Sequence, residues 1–157
     1  MRRIALAFLA AITVLPAADP ALTIEGVAAT RLTLTLADLA GMPRAKAVVS
    51  EHIYEGVRVY DVLKKAGQPF GAQLRSAQLV KYAVFTGHDG YRALFSLPEF
   101  DPAFTSASAL IADRMDGKPI PERKGPLWLV LPDEKTGVRS VYMLERIEIE
   151  SAREPRP

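Results

Sequence analysis

The sequence has 157 residues, with 20 basic side chains, 18 acidic side chains and no cysteine. A chain of this length forms one domain, or two small ones, and a hydrophobic content of 49% excludes a disordered chain. The lack of cysteine excludes disulfides, thiol nucleophiles, iron–sulfur clusters and thiolate-ligated metals.

The N-terminus has the three-part layout of a secretory signal peptide. Arg2 and Arg3 form a basic start, a mostly apolar segment runs from Ile4 to Leu15, and Ala18 precedes the polar Asp19. The apolar segment is shorter than the roughly 20 residues of a transmembrane helix. We therefore predict a signal peptide at 1–18, a domain at 19–150 without a transmembrane segment, and a polar tail at 151–157. The expected location is the periplasm or the medium.

Loss of the signal peptide would leave a chain with balanced charge. Removal of Arg2 and Arg3 lowers the 20 basic residues to 18, which equals the number of acidic ones. No basic run longer than the pairs Lys64-Lys65 and Arg123-Lys124 remains. A nucleic-acid partner and an anionic membrane surface are therefore not expected.

Hydrophobic periodicity predicts mostly short strands with a few short helices. The Asp-Gly pair inside Gly87–Gly90 is a strong hairpin signal between two β-rich runs. Short helices are expected at 36–40, 60–66 and 97–101. The segments predicted as strands are 22–27, 31–35, 47–53, 79–86, 91–96, 109–112, 127–131 and 141–150. This order lacks a βαβ rhythm and predicts a single α+β domain.

The histidines give only weak signals for catalysis. His52 follows Ser50 at a strand end, and His88 precedes Asp89 in the hairpin tip. Ser50, His88 and Asp89 are the residue types of a hydrolase triad, but no Gly-x-Ser-x-Gly elbow is present. No His-x-x-x-His or carboxylate cluster has metal-ligand spacing. Both histidines are therefore expected to be polar loop residues, and no metal site is predicted.

Four cationic residues could line an anion site, because a guanidinium can bind phosphate through two parallel hydrogen bonds. Without further context they are expected to be solvated surface charges. Trp128 lies inside a continuous apolar run and is expected in the core. The cations are Arg92, Arg114, Lys118 and Arg139.

Seven sequence segments occur in an order that is more diagnostic of a protein family than any single segment is. They are 34–39 with 42–44, 54–63, 87–91, 95–97, 112–121, 125–132 and 138–149. The strongest part is Asp116-Gly117-Lys118-Pro119-Ile120-Pro121 followed by Gly125-Pro126 and an apolar run. From Leu32 to Glu150 the chain resembles the oxidoreductase molybdopterin-binding domain of the sulfite oxidase family, especially its short exported bacterial members. The resemblance implies a mixed-sheet α+β domain with a cofactor groove.

The resemblance also implies a metal ligand that this chain lacks. In the enzymes of that family a cysteine thiolate ligates molybdenum, and basic residues hold the pterin phosphate. The interval expected to contain the cysteine is Ala45 to Glu55, which is short and has Ser50 or His52 near the expected place. A hydroxyl or a neutral imidazole does not replace a soft thiolate. In addition, the family's loaded enzymes are exported folded, whereas a general secretory signal delivers an unfolded, empty chain.

Two functions of different classes remain. The first is a non-catalytic module that binds a small anionic ligand, or an exported or membrane protein partner, without a cofactor. The second is a periplasmic oxidoreductase in which molybdopterin alone holds the metal. For the first, Arg114, Lys118 and Arg139 are the predicted anion contacts. The predicted residues at the rim of the groove are His52, Tyr54, His88 and Asp89.

Overall fold

A computed structural model describes residues 19–27 and 29–152. The predicted signal peptide and residues 153–157 of the predicted tail lie outside the described residues. Within the described part, no helix has the length and apolar character needed to cross a bilayer.

The described chain folds into short strands with two short α-helices. The helices are α1 (Leu36–Ala40) and α2 (Val59–Lys65), and single 3₁₀ turns occur at Gly71–Gln73, Ser76–Gln78, Leu97–Phe100 and Gly137–Arg139. The strands are β1 (Leu22–Gly26), β2 (Leu32–Leu34), β3 (Arg44–Val49), β4 (His52–Arg58), β5 (Lys81–Gly87), β6 (Arg92–Ser96), β7 (Leu110–Met115), β8 (Lys118–Pro119), β9 (Trp128–Val130) and β10 (Leu144–Ser151).

The strands form two sheets. The first sheet has the order β2-β1-β10-β5-β6. Strands β1 and β10 run parallel, and every other neighbouring pair in this sheet is antiparallel. The second has the order β3-β4-β7-β8, with β9 also paired to β7. The first and last strands of the domain are therefore hydrogen-bonded to each other near the middle of one sheet.

Most of the apolar side chains pack into one core between the sheets and the helices. Alternation places Ile147 and Ile149 of β10 in this core, as the sequence predicts, together with Phe85, Ile111 and Leu63. A smaller cluster covers the opposite face of the second sheet. Its buried members are Ala47, Tyr54, Leu110, Ala112, Ile120, Trp128 and Val130. The second sheet is thus covered by side chains on both faces.

Local signals predict several elements correctly. Helix α1 is confirmed, and its N-cap Thr35 accepts a hydrogen bond from the backbone N–H of Asp38 while the Asp38 carboxylate bonds back to Thr35. The hairpin joining β5 and β6 is confirmed, with Gly90 at φ 83°. Helix α2 begins at Val59 and ends at Lys65, one residue earlier than predicted.

The single strand predicted over 47–53 is wrong. The structure has two strands there, β3 and β4, joined by a two-residue turn at Ser50 and Glu51. Neither residue is one of the Asn, Asp or Gly residues that two-residue hairpin turns favour, and Ser50 takes a left-handed φ of 56°. The sequence therefore gives no local sign of this turn. Strand β10 also starts later than predicted, at Leu144, and extends to Ser151, the first residue of the predicted tail.

Candidate functional site

The β3–β4 hairpin occupies the interval in which the resemblance places a metal-ligating cysteine. All residues from Ala45 to Glu55 belong to the hairpin, and Val49 pairs with His52 around the turn. Ser50 at the tip lines a cleft of about 280 Å³. This cleft, which we name the aromatic cleft, is lined by Ser50, Tyr54, Trp128, Tyr142 and residues of the 130–140 segment.

Three aromatic rings form one wall of the aromatic cleft. The ring centroids of Tyr54 and Trp128 are 5.0 Å apart, and those of Trp128 and Tyr142 are 4.6 Å apart, both edge to face. The ammonium of Lys124 lies 4.7 Å from the Trp128 centroid and 4.9 Å from that of Tyr142. Cation–π attraction therefore holds Lys124 on this aromatic cluster.

The aromatic wall carries two polar groups, the indole N–H of Trp128 and the hydroxyl of Tyr54. Trp128 is buried as predicted, but its indole Nε1–H has no acceptor among the described residues. A buried donor without an acceptor is costly. Burial, and then the nearby Tyr142 and Asp116, raise the pKa of Tyr54. The Tyr54 hydroxyl thus remains a protonated donor at neutral pH.

His52 lies beside the aromatic cleft and is oriented by a carboxylate. Its Nδ1 is 2.7 Å from Oδ2 of Asp116, and Oδ1 of Asp116 accepts the backbone N–H of Ile53 at 2.9 Å. The hydrogen bond from Ile53, followed by the one from His52, lowers the pKa of Asp116. The His52 ring lies 6.4 Å from the Tyr54 ring. The structure thus brings together two of the predicted rim residues, His52 and Tyr54.

Arg114 and Lys118 lie on the exposed β7–β8 hairpin. Arg114 donates from Nη1 to the carbonyl of Gly117 at 3.4 Å, and Lys118 pairs in register with Met115. Neither cation lines the aromatic cleft. Both lie next to the Asp116 turn, whereas Arg139 lies on the separate 3₁₀ turn Gly137–Arg139 and lines a different cavity.

Arg139 is held by two carboxylates in a different cleft. Its Nη1 lies 3.2 Å from Oε2 of Glu99, its Nη2 bonds to Oε1 of Glu134, and its guanidinium lies 4.3 Å from the centroid of the Phe95 ring. The charge of Arg139 is therefore already compensated. We name this second cavity, of about 370 Å³, the phenylalanine cleft, because Phe95, Phe100 and Phe104 line it.

His88 and Asp89 lie on the first sheet, at the β5–β6 turn. Nδ1 of His88 is 3.1 Å from Oε2 of Glu145, and Oδ1 of Asp89 accepts the backbone N–H of Tyr91 at 2.9 Å. Both side chains have structural partners there, and neither lines the aromatic or the phenylalanine cleft. The seven predicted site residues are thus distributed over separate places, and their roles as ligand contacts stay predictions.

The residues around the aromatic cleft do not fit thiolate-ligated molybdopterin. The chain has no cysteine, and the hairpin offers only the Ser50 hydroxyl or the His52 imidazole near the place where the resemblance implies the thiolate. No group of three or more metal-ligating side chains occurs in residues 19–27 and 29–152. Among the residues that the structure describes, Lys135 is the one cation that lines the cleft, and it follows the anionic Glu134. We therefore derive no chemical step through the cofactor.

The comparisons with known proteins agree with this fold. The family model described as the oxidoreductase molybdopterin binding domain matches residues 41–157. The crystal structure of the sulfane dehydrogenase SoxCD from Paracoccus pantotrophus superposes with a TM-score of 0.62 at 19% identity, over 82% of this chain and 37% of that chain. A search of curated proteins gave no match. The predicted α+β, sulfite-oxidase-like fold is confirmed, and the chain belongs to the oxidoreductase molybdopterin-binding domain family.

Proposed function

We propose that this chain is an exported, non-catalytic member of its family that binds a small ligand in the aromatic cleft. The observation that carries the proposal is the chemistry of the cleft at the β3–β4 hairpin. In the hairpin where the resemblance implies a thiolate, the cleft is lined by Ser50 instead, and its wall has the indole and phenol groups of Trp128 and Tyr54. These groups recognise a ligand but do not tune a bound metal.

The aromatic cleft favours a flat ligand that carries a hydrogen-bond acceptor. Tyr142, which is 37% exposed, offers ring surface, and the Tyr54 hydroxyl can donate to the acceptor of such a ligand. Lys135 at the rim can hold an anionic acceptor group such as a carboxylate. The proposal retains the predicted small anionic ligand. It assigns the ligand's contacts to residues of the aromatic cleft instead of Arg114, Lys118 and Arg139.

Blocking the cleft tests this proposal. Thr136 lines the rim and is exposed, so Thr136→Tyr should fill the entrance without disturbing the core. Thr33→Tyr, at an exposed position of β2, is the matched control. We expect protein purified from its native exported fraction to release one small molecule on unfolding, identified by mass spectrometry. The control should release the same amount, and Thr136→Tyr about tenfold less. Equal release from Thr136→Tyr, or none from the wild type, would contradict ligand binding there.

A second candidate is an oxidoreductase that binds molybdopterin with the metal held by the cofactor alone. The match to the molybdopterin-binding family model favours it. The sulfane dehydrogenase that shares the fold is named as an enzyme, but the present chain spans only 37% of it. Molybdenum content separates the two candidates, because only the second requires the metal.

A further inference from the structure

The phenylalanine cleft has a rigid aromatic floor and an exposed aromatic rim. Phe95 and Phe100 are buried and pack against each other and against Phe85, with all three centroid separations at 5.5 Å. This packing fixes the floor as part of the core. Phe104 at the rim is 53% exposed. A cavity of about 370 Å³ with such a lining suits one small molecule with an apolar body.

The polar groups of the phenylalanine cleft carry an excess of negative charge. Glu99, Asp133 and Glu134 line it together with one cation, Arg139. Arg139 compensates one of the three carboxylates, so the lining is doubly negative. Asp133 uses Oδ2 to accept the backbone N–H of Ser108 at 2.8 Å, and its Oδ1 has no partner within the described ranges. One carboxylate oxygen is therefore available at the mouth of an apolar cavity.

A cation already occupies part of this environment. The Arg139 guanidinium lies on the face of Phe95 and between two carboxylates. Its position demonstrates that the ring face and the carboxylates together stabilise positive charge. Arg58 lines a neighbouring cavity along the same 105–109 segment and does not line the phenylalanine cleft.

We propose that the phenylalanine cleft is a second ligand site that takes a small hydrophobic ammonium ion. The apolar body would lie against Phe100 and be covered by Phe104, because the Arg139 guanidinium already covers a face of Phe95, and the ammonium would bond to Asp133. A hydrophobic anion would be repelled by the doubly negative lining. The inference is independent of the aromatic cleft, with which this site shares Leu131, Pro132 and Glu134 but neither Asp133 nor any of the three rings.

Three probes with the same phenyl body test the charge preference. Phenethylammonium, phenethyl alcohol and hydrocinnamate would be titrated into the full chain at low salt and followed by backbone amide chemical shifts. We expect phenethylammonium to bind most tightly and hydrocinnamate least, with shifts at Phe104, Ser108 and Asp133. Equal or tighter binding of the alcohol or the anion, or shifts confined to the aromatic cleft, would overturn the proposal.

A charge-removing variant and its control locate the contact. Asp133→Asn keeps an oxygen that can accept the Ser108 N–H but loses the charge, and we expect about threefold weaker binding of phenethylammonium. Glu122→Gln, at an exposed position outside the cleft, should not change it. Affinity that is unchanged in Asp133→Asn, or equally reduced in the control, would reject the assigned contact. Thr136→Tyr should leave this binding intact, which distinguishes failure here from failure at the aromatic cleft.

Discussion

At the residue scale, Asp116 shows how one turn residue joins distant segments. The Asp116-Gly117 pair predicts a tight turn, and the structure confirms it with φ values of 52° and 75°. The sequence does not predict that the same carboxylate binds His52 and the backbone of Ile53, more than sixty residues away. Turn chemistry is local and can be read from a dipeptide, whereas these two partners depend on the pairing of β4 with β7.

Asp116 should make stability depend on pH in the acidic range. Its pKa is lower in the folded chain than in the unfolded one, so its contribution is present above the ordinary value of about 3.9 and is lost as the pH falls through the lowered value. Asp116→Asn tolerates the left-handed backbone but lacks the charge. We expect this variant to be less stable at pH 6, by an amount that shrinks towards pH 2, as measured by urea unfolding. A difference that is constant with pH would contradict this role.

Gly56 is required by the close approach of β4 and β7. A Cβ at this position would lie 2.0 Å from the carbonyl oxygen of Ile111 and 2.6 Å from Cα of Ala112, both backbone atoms. We expect Gly56→Ala to lower the free energy of unfolding by about 1–3 kcal/mol, because one strand must move. Gly137→Ala is the control, since nothing lies within 4 Å of its Cβ position. Equal effects of the two substitutions in urea unfolding would refute the explanation.

At the scale of elements, a bidentate ion pair fastens the edge strand β3 to β7 across β4. Arg44 donates from Nη1 and Nη2 to the two carboxylate oxygens of Asp113 at 2.7 and 2.5 Å. The hydrogen bonds to Asp113 raise the pKa of the Arg44 guanidinium. Both side chains are partly buried, so solvent screens the pair less than a fully exposed one. The pair supports the hairpin whose tip forms the aromatic cleft.

A double-mutant cycle measures the coupling energy between Arg44 and Asp113. Arg44→Met and Asp113→Asn should each lower the free energy of unfolding, and their coupling energy should be about 1–2 kcal/mol. The Lys46–Glu55 pair, in which the lysine is 68% exposed, is the control and should give at most about 0.5 kcal/mol. Equal coupling in the two pairs would show that the bidentate geometry adds nothing.

The sequence predicts elements where the signal is local. Three signals depend only on residues close together in the sequence. They are the capping box of α1, the Asp-Gly hairpin of β5 and β6, and the alternation of β10. The β3–β4 turn has no such local signal, because the left-handed conformation of Ser50 accompanies the pairing of the two strands. The order of the motifs predicted the family, but the hairpin at the tip of the candidate site required the structure.

At the scale of the whole molecule, the candidate site could be predicted only in part. Tyr54 and His52 were identified from the sequence, while the roles of Trp128 and Tyr142 in a cleft wall were missed. An aromatic residue inside an apolar run has the same local signal whether it packs in a core or lines a cleft. The cations were identified by residue type, but only the structure reveals that Arg139 is compensated by two carboxylates.

The proposed location can be tested separately from the proposed binding. Residues 1–25 fused to a reporter that is active only after export should place it outside the cytoplasm, because they contain the basic start and the apolar segment. Replacing Leu6 and Leu15 with aspartate should abolish export by interrupting the apolar segment. A reporter that remains in the cytoplasm with the native segment would contradict the location.

Molybdenum content tests the central claim most directly. The chain would be produced in a host that makes molybdopterin, purified under native conditions, and analysed for molybdenum by elemental mass spectrometry and for pterin by fluorescence after release. Because no thiolate is available to ligate the metal, we expect both to remain at the background of a control protein. One molybdenum and one pterin per chain would contradict the claim and would favour the molybdopterin-dependent oxidoreductase.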